Sequence, residues 1–104
     1  MRGELPSKKV YEDDHVYAFE DLHPQAPTHV LVIPKKHIAG LKEAEAADAE
    51  VIGRCHLVAA EMARQRNIEN GYRTVLNVGP ESGQSVFHLH VHLLGGRRLT
   101  WPPG

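Results

Sequence analysis

A chain of 104 residues, 41% hydrophobic and 24% charged, has the size and composition of one compact domain, which excludes a two-domain enzyme and wholesale disorder. Twelve Lys and Arg against 13 Asp and Glu leave a formal charge of -1, so there is no dense basic surface to hold nucleic acid or a membrane without specificity. One cysteine, Cys55, excludes an internal disulfide and a multi-cysteine zinc site, and no apolar run approaches the ~20 residues that span a bilayer.

The first residues, Met1-Arg2-Gly3-Glu4-Leu5-Pro6, lack the apolar core of a signal peptide, and a cytoplasmic setting is expected. Val10–Glu12 and Val16–Glu20 read as short strands about a tight turn at Asp13-Asp14. Asp21–Thr28 carries Pro24 and Pro27 and reads as a loop. His29–Ile33 resumes a strand, closed by Pro34. From about Glu43 to Asn67, apolar Ile52, Cys55, Ala59 and Met62 step by three and four, which predicts one long amphipathic helix stopped by Asn70-Gly71. Cys55 falls on its apolar stripe as a packing thiol. Tyr72–Val78 is expected as a strand, Gly79–Gln84 as a loop and Ser85–Leu94 as the last strand, ended by Gly95-Gly96. Strands, one helix, then strands predict an α+β domain, residues 1–104, with a mainly antiparallel sheet.

Histidine is the compositional anomaly: eight in all, with His88, His90 and His92 alternating against Leu89, Val91 and Leu93. On a strand this puts the imidazoles on one face and the apolar residues on the other. Three adjacent imidazoles need many partners if buried, so their face is expected to line a cleft. Two chemistries fit. A His-x-His pair can bind a transition metal, but no acidic residue follows Glu81 to orient the imidazoles. Alternatively an imidazole attacks phosphorus and forms a covalent intermediate that water resolves. The loop Gly79–Ser85 before the strand favours the second, since its glycines let backbone N–H groups turn toward an anion and Ser85 adds a hydroxyl.

Gly83-Gln84-Ser85-Val86-Phe87-His88-Leu89-His90-Val91-His92-Leu93-Leu94 resembles the signature of the histidine triad (HIT) family, and Gly95-Gly96-Arg97 with Trp101-Pro102-Pro103-Gly104 is similar to its Hint branch of purine nucleoside phosphoramidases. Asp21–His29 and Val32–Ile38 resemble the same branch. The resemblance implies a HIT-like fold with a five-stranded sheet and one long helix, the sheets of two subunits joined in a homodimer. It implies an AMP-type purine nucleotide substrate and no cofactor or metal. His90 would be the nucleophile. His88 would hold it through its carbonyl, and His92 and His29 would take part in proton delivery to a leaving amine. Gly83, Gln84 and Ser85 would bind phosphate oxygens, with Asn77 beside them. Asp21 would bond the ribose, Phe19 and Leu22 would wall the base, and Trp101 would reach toward the partner subunit's site. Asp21 also suits plain turn stabilisation and Phe19 plain core. His15, His23, His37 and His56 are expected at structural or surface positions.

The chain departs from the branch at its start. Relatives commonly carry an extra N-terminal segment with apolar residues against the base, or a Cys-x-x-Cys zinc pair, and neither is expected here. The implied activity is hydrolysis of the P–N bond of nucleoside 5′-phosphoramidates. The alternatives are a nucleotide- or partner-binding module with little turnover, and a dinucleoside polyphosphate hydrolase.

Overall fold

The computed structural model describes residues 8–104. In chain order the elements are β1 (Lys9–Glu12), β2 (Val16–Glu20), β3 (Thr28–Pro34), α1 (Ala49–Gln65), β4 (Tyr72–Val75) and β5 (Val91–Gly95), with short 3-10 turns at Leu41–Glu43, Ala46–Asp48 and Pro80–Ser82. The strands form one five-stranded antiparallel sheet in the order β1-β2-β3-β5-β4. The α+β architecture with one long helix is therefore as expected. Asp13 closes the first hairpin: its Oδ1 accepts the amides of His15 at 2.7 Å and Val16 at 2.8 Å, the local use of a short carboxylate that favours turns.

The period of two along the strands divides the sheet's faces. Val16 and Ala18 of β2, Val30 and Val32 of β3, and Val91 and Leu93 of β5 are all fully buried on one face. They pack with Cys55, Val58, Ala59, Met62 and Ala63 of α1 in a single apolar cluster. Burial pushes the Cys55 thiol up to about 11, with Asp13 adding to it, so this sulfur is an inert packing group, as its spacing predicted. The other face carries Phe19, Leu31, His92 and Val75 in one row across four strands. Among the described residues no helix lies over that face, which leaves it available for chemistry.

Among the element boundaries that differ from expectation, both ends of the helix have an identifiable reason. The helix starts at Ala49 rather than near Glu43, because Asp48 is buried and pinned. Its carboxylate accepts the Glu45 amide at 2.9 Å and Lys36 Nζ at 2.5 Å, so residues 41–48 are held in tight turns. The helix ends at Gln65, before Asn70-Gly71, because Asn67 takes a left-handed φ of 59°. There Ile68 N–H donates to Ala63 and Asn67 N–H to Arg64, a Schellman closure. β4 stops at Val75 rather than Val78.

The correction that matters most concerns the last strand. Regular pairing covers only Val91–Gly95, so His88 and His90 precede the strand instead of lying on it. The reason is Pro34, which ends β3 and has no N–H to offer a ladder. Leu89 N–H turns instead to the carbonyl of Ile38 at 2.6 Å, and the Pro34 carbonyl is taken by the His88 ring at 2.8 Å. The alternation of sides survives all the same: Leu89 is buried and His88 and His90 are half-buried.

Candidate active site

The site is built where the first half of β3, the loop after β2 and the chain entering β5 meet. His92 lies opposite Leu31 in the register, and His29 is two residues from Leu31 on the same face. His29 and His92 are therefore diagonal neighbours across the two strands, within reach of long side chains. Nε2 of His29 sits 2.9 Å from Nδ1 of His92, and the rings of His92 and His90 meet edge to face with centroids 5.0 Å apart.

Backbone partners assign the proton positions on these rings, since each neutral imidazole has one donor and one acceptor nitrogen. The Gln25 amide donates to Nδ1 of His29 at 3.0 Å. That nitrogen is thus the acceptor, and Nε2–H donates to Nδ1 of His92, leaving the His92 proton on Nε2. The carbonyl of His88 accepts from Nδ1 of His90 at 2.8 Å, so the Nε2 lone pair of His90 is free. His88 donates through Nε2 to the Pro34 carbonyl, and its Nδ1 lies 3.2 Å from Nδ1 of His37.

Burial sets the charge state. It pushes His92 down to about 4, with His90 and His29 adding to the effect and Asp21 opposing it. It lowers His29 as well, again against Asp21, and it lowers His88, where the bond to Pro34 works the other way. Neutral imidazoles at pH 7 suit nucleophilic attack and phased proton transfer.

Asp21 is placed for two tasks. Its Oδ1 accepts the His23 amide at 2.7 Å, closing a turn, and its Oδ2 lies 3.4 Å from Nε2 of His29. The acidic partner that no residue after Glu81 supplies thus comes from before β3. Asp21, His29 and His92 bring three donor atoms within 4.8 Å of one another, the one group among the described residues arranged to hold a divalent ion. Two of these atoms already bond each other, so an ion there would replace the His29–His92 hydrogen bond.

The other expected site residues are distributed unevenly. Gly83 takes a left-handed φ of 98° at the end of the Pro80–Ser82 turn, and Ser85 is exposed beside it. The Gln84 side chain is turned inward and used up as a brace. Its Oε1 accepts the Gly79 amide at 2.8 Å, and its Nε2 donates to the carbonyls of Ala39 at 2.9 Å and Val86 at 3.2 Å. Any contact of Gln84 with a ligand is left to its backbone. Asn77 follows β4, two residues past Val75, the partner of His92. Phe19 is half-buried beside Tyr17, Leu22 is exposed, and Trp101 is 79% exposed.

Sequence reasoning missed Gln25, Pro34 and His37. The first two act through backbone groups, which leave no mark in side-chain chemistry. His37 follows a Lys-Lys pair and is exposed, as expected, and the fold sets its ring against His88.

A sheet of this topology whose last strand is entered through three alternating histidines, with the middle one oriented by the carbonyl of the first, defines a histidine-triad protein. The chain belongs to the HIT domain family, which matches residues 2–99. It is 52% identical over 106 residues to a 14 kDa zinc-binding protein of Zea mays, covering 100% of this chain and 83% of that one. It is 48% identical over 103 residues to adenylylsulfatase HINT1 of Arabidopsis thaliana, covering 97% and 70%. A solved HIT family hydrolase from Legionella pneumophila superposes with a TM-score of 0.94 at 48% identity, covering 98% of this chain and 92% of that one.

Proposed function

We propose that the protein is a nucleotide hydrolase that cleaves the P–N bond of nucleoside 5′-phosphoramidates through a covalent nucleotidyl–His90 intermediate. One observation carries this reading: Nδ1 of His90 is committed to the His88 carbonyl at 2.8 Å, which leaves Nε2 as an unprotonated nucleophile. The nucleotide's anionic phosphate offsets the desolvation that keeps His92 neutral, so substrate binding draws a proton from solvent onto Nδ1 of His92, and His29 turns its Nε2–H to Asp21 Oδ2, 3.4 Å away. Nε2 of His90 then bonds to the α-phosphorus as the P–N bond breaks, and the leaving nitrogen takes a proton from Nε2 of His92. After the amine departs, water attacks the phosphorus and gives a proton back to His92. The P–Nε2 bond breaks, and the nucleotide leaves with His90 restored. Ser85 and the backbone about Gly83 offer donors to the phosphate oxygens, and Asp21 is an acceptor for the ribose hydroxyls.

The relative of Arabidopsis thaliana named an adenylylsulfatase supports a second reading with the same attack and sulfate as leaving group. Sulfate leaves as a stable anion and takes no proton, so it needs His90 but not protonated His92. Adenosine 5′-phosphoramidate and adenosine 5′-phosphosulfate offered to the chelator-treated protein and to His92→Ala separate the two. The phosphoramidase reading expects turnover of the first by the parent and a deep loss in the variant. Turnover of the phosphosulfate alone, equal in both proteins, supports the second.

The reading includes a homodimer. β4 is an edge strand of this chain's sheet, the position at which two sheets join, and the exposed Trp101 is free to approach a partner's site. Sedimentation of the purified protein tests it.

A further inference from the structure

The loop of residues 21–28, which carries the Gln25 amide, is braced from far along the chain. Arg97 Nε donates to the Gln25 carbonyl at 2.9 Å, across 72 residues, and Arg97 Nη1 donates to the Arg98 carbonyl at 3.0 Å. The turn that delivers Arg97 lies directly on the loop. Gly96 has a φ of 92°, and a Cβ there would meet Cβ of Pro27 at 3.0 Å. Gln25 is thus held at three points: its amide on His29, its carbonyl on Arg97, and its Nε2 on the His23 carbonyl at 3.0 Å. With the carbonyl fixed on one side of its Cα, the amide on the other side has little freedom to swing away from His29.

We infer that Arg97 is a positioning residue, acting through Gln25 to keep His29 in the tautomer that donates to His92. The rigid fork of a guanidinium suits it to clamp two carbonyls at once. Without the clamp the Gln25 amide loosens, only the Asp21 carboxylate 3.4 Å from Nε2 still favours a proton there, and His29 also populates the form with its proton on Nδ1. Its Nε2 lone pair then faces the Nδ1 lone pair of His92. To relieve that contact, His92 carries a proton on Nδ1, where His29 accepts it at 2.9 Å; this stabilises the His92 imidazolium, so His92 gives its Nε2 proton to the leaving nitrogen less readily. This consequence for turnover rests on the proton-delivery role proposed above; the control of the tautomer does not.

The test measures the ring nitrogens of His29 by long-range nitrogen–proton NMR in the full chain, for the parent, Arg97→Met and Arg97→Lys, beside phosphoramidate turnover. Arg97 is on the surface, and amide spectra check that the variants stay folded. The parent is expected to show the Nε2–H form, and Arg97→Met a mixture. In Arg97→Met kcat is expected to fall about tenfold, less than the ~100-fold or more of a proton donor lost outright, with KM within about twofold. Arg97→Lys, which keeps one donor, is expected to recover most of both. An unchanged His29 tautomer in Arg97→Met overturns the inference. A shifted tautomer with no turnover by any of the three proteins upholds it and overturns the proposed function instead.

Discussion

Nε2 of His29 and Nδ1 of His92 lie 2.9 Å apart, diagonal neighbours on β3 and β5 that stand 63 residues apart in the chain. Both rings are kept uncharged by burial, and the Gln25 amide decides which of them donates. Their coupling gives the site its pH behaviour.

Stability is expected to fall as pH drops. The folded-state pKa of His92 is lowered to about 4, and those of His29 and His88 are lowered too, so between the unfolded value near ~6.5 and about 4 the unfolded chain binds more protons. The contribution is complete above the unfolded value and lost as pH falls through the folded one. For His92 alone it is at most about 3 kcal/mol. Thermal melts from pH 7.5 to 4 are expected to show a falling Tm, and His92→Gln a shallower fall. A melting temperature level over that range contradicts the assignment of neutral rings.

His29→Phe keeps a planar ring, slightly larger than imidazole, and removes the donor. In the account above kcat falls about 10²-fold, the scale of a lost general-acid contribution, and nucleotide affinity changes little. Combined with His92→Ala, the losses are expected to be far from additive, since the two rings act as a unit. Steady-state kinetics of both single variants and the double variant checks this.

Gln84 is buried and bonds three backbone groups, at Gly79, Ala39 and Val86. Gln84→Ala leaves the buried Gly79 amide without its partner, at about 1–3 kcal/mol, and frees the part-buried Ala39 and Val86 carbonyls. Urea unfolding is expected to show a loss of about 1–3 kcal/mol on the same basis, and KM to rise because the loop at Gly79–Ser85 loses its brace.

A Cβ at Gly95 would come within 2.5 Å of Cδ1 of Ile68. Gly95→Ala is expected to cost about 1–3 kcal/mol, as overpacking does. Ile68→Val deletes the obstructing carbon, so the double variant is expected to regain part of the loss, a coupling readable in a double-mutant cycle by denaturant unfolding.

Much of this was legible in the residues. Alternation of His with Leu, Val and Leu marked both the open and the buried side of the chain at residues 88–93, and the step of Cys55, Ala59 and Met62 marked the helix face. The strand itself was overextended, because alternation reports which side a residue faces and not whether its backbone is paired. The missing N–H of Pro34 decided that. The helix start was misplaced because Ala and Glu favour helix everywhere, whereas Lys36 and the Glu45 amide, joined to Asp48 only in the fold, hold the preceding turns. Asp21 was legible through the loop motif it opens. Gln25 was not, because its part is played by a peptide N–H that every residue but proline carries.

The most direct test of the central claim is a rapid alkaline quench of the chelator-treated protein with adenosine 5′-phosphoramidate, analysed by intact mass and peptide mapping beside His90→Ala. The account predicts an added nucleotidyl mass on His90 during turnover, and neither adduct nor turnover in the variant. Equal turnover in the two proteins, or turnover with the adduct on another residue, would contradict it.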